Sequence, residues 1–538
     1  MKLKFKSWYF VALLFLIVEF IICPTGDFPL NDDWAYAKSI EVYNRTKVFY
    51  FSNWIAIPFI SQFLIGLSFS KFFGFTFFGL RVITILISFI NLLTFYKILD
   101  SFHLKENLKL IALLVFAFNP LTISLGNTFL PDIYILFFTL ISFHFMLKMI
   151  NNGGGFNYVL FIIFTLFGTL NRQTGILIPF IFLILYYVLS KKNKKNLLIS
   201  ILPFSLNIIA LISLEFILKS HGILPDNYNL QLSRIIDSIT HPTFSTIQQI
   251  GINFITSCIC LGIFILPLTI LNFKNHLKQI HQFSLVKWGF YLFLLIIICK
   301  VLLTGLINPF IGNMFYSFGT GPVLMTGFNT DKLQTYSIIG KFILILLNIS
   351  GAISFYFAFF SIVKSINLKT VSKDNWLNLF FVLLFFIYLI PLCFNYTNDR
   401  YLLLLLPFFI VSYFKYCETE FNLYLFISLF SPIFFFSVAS NYDYFRINDA
   451  KWSALNELTN KKLVLPQNID GGFEFNGWYL SESINYDPSH EGRWWWIANE
   501  EYILSPKKRK GFKIETRIPF KNIISYPFDE LYVLKREN

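Results

Sequence analysis

Apolar runs of 17 or more residues recur along most of this 538-residue chain, and nothing constrains its fold more. Inside lipid every backbone N–H and C=O must be satisfied, so a run of that length crosses the hydrocarbon core as a helix. The composition agrees. Charged residues make up 14% of the chain and hydrophobic ones 56%, against about 25% charged in a soluble domain. The sequence therefore predicts an all-α polytopic membrane protein. Judged against roughly 20 residues per span, about thirteen segments qualify: 8–25, 78–98, 108–127, 133–150, 156–171, 174–190, 197–218, 250–272, 286–306, 336–363, 376–394, 400–415 and 421–440. The fifth and sixth form a tight hairpin around Asn171-Arg172-Gln173.

The net charge is +14, which in a soluble chain would point to nucleic acid. Here the lysines sit in short loops between apolar runs, so they read as topology signals and contacts to anionic lipid, and nucleic acid is not an expected partner. The lysine-rich loops alternate along the chain and include Lys2, Lys4 and Lys6 at one end and Lys191, Lys192, Lys194 and Lys195 in the middle. By the positive-inside rule these face the cytoplasm. Residues 1–28 mimic a signal peptide. The run from Trp8 to Cys23 is long for one, however, and no Ala-x-Ala site follows, so it reads as an uncleaved first helix. The expectation is a multi-pass protein of the cytoplasmic membrane, N-terminus inside.

Residues 1–440 then form a transmembrane domain whose long loops, 26–77, 219–249 and 307–335, lie outside. The stretch from Phe49 to Phe73 reads as interfacial, and the glycine-rich loop 307–335 as mobile. Residues 441–538 change composition and read as a small extracytoplasmic α+β domain, helical over Trp452 to Leu463, with strands such as Lys461 to Leu465 and Glu530 to Leu534. Its aromatic stretches, Gly471 to Trp478 and Trp494-Trp495-Trp496, fit a packed core with turns; a sugar-stacking surface is the other reading. The 69 Phe residues read as lipid-facing bulk. The six cysteines all lie in or beside apolar runs and read as small buried residues, with no metal-site spacing.

Chemistry concentrates at the outer face. Phe28-Pro-Leu-Asn-Asp-Asp-Trp34 follows the first span, and its adjacent carboxylates are Asp32 and Asp33. A capped, solvated helix explains an Asp there; a general base at the membrane surface is the sharper reading. Adjacent helical residues point about 100° apart, so one carboxylate faces a cavity while the other serves locally. Asp32 is closer to Pro29 and suits the cap, which leaves Asp33 as the base. Asp132 opens the fourth segment, Arg172 tips the hairpin, and Asp399 and Arg400 open the twelfth. Lys300, near the outer end of the ninth, can snorkel outward. Ionisable groups at membrane depth are functional suspects, and these converge on one face. Carboxylate, Arg and Lys without any nucleotide-binding domain suit transfer from a lipid-linked phosphate. A carboxylate takes the acceptor's proton while arginines hold the departing phosphate, so a metal is optional and no cofactor is required.

Four stretches resemble the membrane-integral glycosyltransferases of the GT-C fold, in the broad family of protein O-mannosyltransferases and the aminoarabinose transferase of lipid A. They are Asn31-Asp32-Asp33-Trp34, Pro131-Asp132, Leu170-Asn-Arg-Gln-Thr-Gly175 and Asp399-Arg-Tyr-Leu-Leu-Leu-Leu-Leu-Pro407. The resemblance covers about residues 1–440. It implies a polyprenyl-phosphate sugar as donor and a lipid, glycan or protein as acceptor. It implies Asp33 or Asp32 as base and Arg172 and Arg400 on the lipid phosphate; Lys300 is a further candidate for the phosphate, and Asp132, Asp399 and Trp34 are substrate-site candidates. One departure is that Phe51 to Pro58 has a single proline and no lysine where relatives carry a Lys-Pro-Pro element.

Two other readings compete. A polysaccharide polymerase or ligase with a diphosphate-linked donor would share the charged face. A lipid or sugar transporter would share the many spans, but transporters carry inverted repeats and midplane sites, and this chain shows no repeat. The topology is testable. A reporter that is active only outside the cytoplasm, fused to the C-terminal end, should be active; activity of a cytoplasm-only reporter there would overturn the orientation.

Overall fold

The computed structural model describes residues 6–189, 194–273, 289, 308–316, 319–329, 338–366, 376–394, 397–416, 422–482, 495–497, 499–524 and 526–537. Helix α1 (Ser7–Ile22) leads into α2 (Asp33–Thr46) and α3 (Ile60–Phe73), then α4 (Phe77–Ser101). Next come α5 (Glu106–Ala117), α6 (Pro120–Gly126), α7 (Pro131–Asn152), α8 (Gly155–Asn171), a 3-10 turn (Gln173–Ile176) and α9 (Leu177–Leu189). After these follow α10 (Lys194–Ser220), α11 (Leu230–Thr240), α12 (Phe244–Thr269), α13 (Ile338–Lys364) and α14 (Trp376–Cys393). A 3-10 segment (Asp399–Leu404), α15 (Leu406–Tyr416), α16 (Leu423–Asn456) and α17 (Phe473–Leu480) complete the helices described.

The expected all-α membrane architecture is present, but the count of thirteen spans is not reproduced. Among the described residues, seven helices are long and apolar enough to cross a membrane, or eight if the bent pair α5–α6 counts as one span. That pair bends by 58°. Pro120 has no N–H to continue α5, and Asn119 restarts the helix by accepting the Leu121 N–H at 2.9 Å. The first segment is a helix of 16 residues, about 24 Å long, shorter than a hydrocarbon core of about 30 Å. The twelfth begins as a 3-10 helix and continues in only 11 α-helical residues. The ninth, 286–306, lies outside the described residues except for position 289, and Lys300 is not among those described.

Helices α12 and α13 pack backbone to backbone. A Cβ on Gly262 would lie 1.8 Å from the carbonyl oxygen of Gly351, and one on Gly351 would lie 2.7 Å from that of Ile259. Only glycine fits either position, the small-residue contact that substitutes for a hydrophobic driving force between helices in lipid. Many phenylalanines also face inward rather than toward lipid. Phe143, for example, packs on Phe380 and Phe408 with ring centroids 4.8 and 5.0 Å apart.

The loops expected to lie outside are structured. Loop 26–77 folds into α2 and α3, and 219–249 contains α11. The described part of 307–335 forms two small hairpins, β1 (Phe315–Tyr316) with β2 (Gly319–Thr320) and β3 (Leu324–Met325) with β4 (Phe328–Asn329). Their glycines read as mobility, yet Met314, Phe315, Leu324 and Met325 are buried: Phe315 packs on Phe264 and Phe436, and Leu324 and Met325 lie against Gly472. Cys258, Cys260 and Cys393 are buried as expected, Cys23 is exposed at the end of α1, and Cys299 and Cys417 lie outside the described residues.

A domain border at 440/441 falls inside α16, which runs unbroken for 34 residues. Composition changes there because Asn441, Asp443, Asn448 and Lys451 are buried polar residues, while the helix itself continues. Beyond it stands a four-stranded sheet in the order β5 (Ile469–Asp470), β6 (Tyr502–Ser505), β8 (Glu530–Arg536), β7 (Phe512–Pro519). Strands β5 and β6 run parallel and the others antiparallel, with Ile503 opposite Leu534. In β7 the alternation Phe-Lys-Ile-Glu-Thr-Arg-Ile puts every second side chain inward, the strand period of two. Glu530 to Leu534 is strand, as its sequence predicts. Lys461 to Leu465 is not: a π-helical turn, Glu457–Lys461, ends α16, and Leu463 then adopts a positive φ of 54°.

The glycine contact generates a prediction. Gly262→Val should cost about 3 kcal/mol or more, because backbone rather than a movable side chain is in the way. Thermal melting of the purified protein in detergent should shift down accordingly; an unchanged midpoint would show that the helices do not cross at this point.

Candidate active site

The turn Pro29-Leu30-Asn31 sets up the acidic pair. Asn31 sits in the left-handed region with φ 54°, which Asn tolerates better than most side chains. Asp33 then opens α2 and Asp32 occupies the position before it, where it makes no side-chain cap. The two carboxylates diverge as helical geometry requires, but in the opposite sense to the sequence expectation. Asp32 faces a cavity. Its Oδ1 accepts the indole N–H of Trp54 at 3.0 Å and its Oδ2 accepts from Arg400 Nη1 at 3.1 Å. Asp33 is 2% exposed and turns inward. Its Oδ1 accepts the Leu30 N–H at 2.7 Å and its Oδ2 the Phe129 N–H at 3.4 Å. The carboxylate expected to be the base thus joins the loop before α2 to the segment before α7, and the expected cap is the one that faces open space.

Arg81, in the first turns of α4, joins the same two segments, and sequence reasoning missed it. Its Nε donates to the carbonyl of Asn127 at 3.0 Å. Its Nη1 donates to those of Pro24 and Gly26 at 2.9 and 2.7 Å, and its Nη2 to that of Phe28 at 3.0 Å. The available signal was an arginine inside an otherwise apolar run, a costly placement that needs a reason. Helix α2 is not a membrane span, and the environment of Asp33 is definite. Burial is the largest influence on its carboxyl and raises its pKa from 3.8 to about 8, against the opposing pull of Arg81 and the two N–H donors.

A second ion pair adjoins the first. Arg172 Nη1 lies 2.7 Å from Asp132 Oδ1, and both side chains are buried. Asp132 Oδ2 has no hydrogen-bond partner among the described residues and lies 3.9 Å from Arg400 Nε. The order Asp32, Arg400, Asp132, Arg172 therefore alternates in sign across the site. The guanidinium of Arg172 lies 4.4 Å from the centroid of the Tyr401 ring. The hairpin holds its place through Asn171, whose Nδ2 donates to Pro131 O at 3.2 Å and whose carbonyl accepts the Phe59 N–H at 3.1 Å.

The cavity measures about 590 Å3, and its wall includes Asp32, Tyr36, Trp54, Arg172, Arg400 and Tyr401. Two expected site residues are elsewhere. Asp399 is fully buried, and its oxygens accept the N–H groups of Met314 and Phe315 at 3.0 and 2.6 Å, so it anchors the first hairpin. Trp34 is also fully buried, its ring against Trp54, Phe473 and Trp496. A Cβ on Gly477 would meet the Trp34 ring at 2.5 Å, so glycine lets α17 close over it. The C-terminal region thereby adds Phe473 and Trp495 to the wall. Arg234 of α11 and Asn313 line both this cavity and an adjoining one of about 750 Å3. Among the described residues no three His, Cys, Asp or Glu side chains gather as metal ligands.

The buried Asp33 has a pH signature. The fold holds its proton where the unfolded chain, with a carboxyl near 3.8, has released it. That contribution to stability is complete below about pH 4 and is lost as pH rises through about 8. The melting midpoint of the wild type should therefore fall between pH 5 and 9, and Asp33→Asn, which cannot ionise, should flatten the fall. Parallel curves for the two proteins would overturn this account.

Comparison with known proteins adds the following. No curated protein matches the chain. Its fold is similar to the archaeal oligosaccharyltransferase AglB from Archaeoglobus fulgidus, in complex with an inhibitory peptide and a dolichol-phosphate, at 13% identity and a TM-score of 0.41. That match covers 84% of this chain and 59% of the other, so the chain spans less than two thirds of that protein. It is also similar to ArnT from Cupriavidus metallidurans in the apo state, at 8% identity and a TM-score of 0.38 over 97% of each chain. For ArnT bound to undecaprenyl phosphate the values are 9% and 0.39, over 98% of this chain and 97% of that one. By sequence, residues 57–217, which hold Asp132 and Arg172, match the family model of the dolichyl-phosphate-mannose-protein mannosyltransferases.

Proposed function

We propose that this protein is a membrane-integral glycosyltransferase that moves a sugar from a polyprenyl-phosphate donor to a hydroxyl or amine of a lipid, glycan or protein acceptor at the outer face of the cytoplasmic membrane. The observation that carries this reading is Asp32, a carboxylate in the cavity wall with one oxygen on Arg400 and the other on Trp54. The match of residues 57–217 to the mannosyltransferase family model supports it.

In this reading the acceptor oxygen or nitrogen attacks the anomeric carbon. The bond from that carbon to the phosphate oxygen breaks, and Asp32 takes the proton that the acceptor gives up. Arg400 has two roles in sequence. Before donor binding it neutralises Asp32. When the phosphate arrives it can turn its planar fork to the phosphate oxygens, which bind it bidentately and carry the growing charge. That exchange frees Asp32 to accept a proton at the moment one is released. Arg172 stays with Asp132 and holds the floor. Breaking such a buried pair by removing one partner costs about 3–5 kcal/mol, so its contribution is to keep Arg400 within reach of both carboxylates. Asp33 is placed as a positioning group rather than as the base.

The experiment is turnover of a polyprenyl-phosphate sugar by purified protein, with binding of polyprenyl phosphate measured separately. Asp32→Asn keeps the shape and an acceptor for Trp54 but removes the base. Its rate should fall about 10²- to 10⁴-fold while polyprenyl phosphate still binds. Asp33→Asn should retain most of the rate in protein that remains folded. The reverse pattern would return the base to Asp33, and full activity of both variants would remove the acidic pair from the chemistry.

A further inference from the structure

We propose that Trp495 and Phe473, both from the C-terminal region, form with Trp54 a subsite for the apolar face of the donor's sugar ring. This rests on the transferase reading above and gives the C-terminal region a part in substrate recognition. All three rings line the cavity that Asp32 faces. Trp54 and Trp495 stand 6.2 Å apart at 82°, two walls of a right-angled corner, and Phe473 closes against Trp495 at 4.9 Å.

The corner is continuous with the aromatic core, since Trp495 packs on Trp496 at 5.7 Å and also lines the cavity. Trp496 and Trp34 supply the buried aromatic core, edge to face at 5.5 Å, while the neighbouring Trp495 faces the cavity. To divide the work in this way the chain holds Trp495 and Trp496 at φ 35° and 61°, both in the left-handed region that bulky side chains avoid. Backbone strain of that kind gathers at ligand sites.

The position of Asp32 fixes the ligand class. Its Oδ1 takes the Trp54 N–H on the side of the aromatic corner, and its Oδ2 takes Arg400 on the side of the guanidiniums. A donor bridging these two sides must be apolar-faced at one end and anionic at the other, with the bond between them beside the carboxylate. A pyranose or furanose ring joined to a phosphate meets that description. Its C–H face lies on an aromatic ring, its phosphate meets Arg400, and the anomeric carbon comes next to the base.

The test uses the full-length purified protein and four probes: polyprenyl phosphate alone and polyprenyl-phosphate mannose, glucose and arabinose. Wild type should bind at least one of the sugar lipids more tightly than the bare lipid. Trp495→Ala should lower affinity for that sugar lipid about five- to tenfold and leave binding of the bare lipid within twofold. Trp495→Tyr, which keeps an aromatic face, should restore most of the difference, and melting curves of both variants report folding. Equal binding of the sugar lipid by Trp495→Ala and wild type would overturn the subsite. So would an equal loss for sugar and bare lipids, or a wild type without preference among the four. A wild type that binds none of them overturns the transferase reading itself, whereas Asp32→Asn with its sugar preference intact and its turnover lost upholds both.

Discussion

Two buried groups hold the site together, and neither faces the cavity. The carboxylate of Asp33 and the guanidinium of Arg81 each join the loop after α1 to the strand of chain before α7. Those two segments carry Asp32 and Asp132, the acids of the alternating array. Polar and charged groups this deep are expensive unless their hydrogen-bonding capacity is used. Arg81 meets that requirement with four backbone carbonyls that its fixed fork can reach at once. Lysine, with a single nitrogen, could not hold the same set. The spacing between Asp32 and Asp132 is thus set from beneath by groups that do not line the cavity.

Much of the site was legible in the sequence because ionisable residues stand out against an apolar background. Asp32, Asp132, Arg172 and Arg400 were all marked as outward-facing, and the structure brings them together. What the sequence did not contain was the partner of each. Helical geometry required Asp32 and Asp33 to diverge, but the choice between them depends on Trp54, Phe129 and Arg400, which arrive from elsewhere in the chain. Asp399 was credited for its neighbour Arg400, although the N–H groups of a distant hairpin bind it.

The span count failed for a different reason. Hydropathy measures how apolar a stretch is and says nothing of whether its helix is unbroken. Asn119-Pro120 interrupts one apolar run, and a 3-10 segment opens another, so two runs of adequate length are not single straight helices. The expected domain border lies inside a continuous helix for the converse reason. A change toward polar residues marked the end of the membrane part, but those polar side chains are buried partners within a helix that goes on. Asp443 receives the N–H groups of Ile523 and Ile524 at 2.7 and 2.8 Å, and Lys451 pairs with Glu474, whose Oε1 accepts the Asn31 N–H at 3.4 Å.

That unbroken helix bears on how the protein is made. At 34 residues α16 is about 51 Å long, and everything that caps the cavity from the C-terminal side is synthesised after it. Asp32 leaves the ribosome well before Phe473 and Trp495, which follow it by more than four hundred positions. Throughout synthesis the acidic loop must stand open, its Asn31 N–H still lacking the Glu474 carboxylate and its Trp34 still uncovered. The cavity wall is therefore completed only when Phe473 and Trp495 have docked beside Trp54. A chain stopped before α17 carries the charged residues of the site but lacks those two rings of its wall.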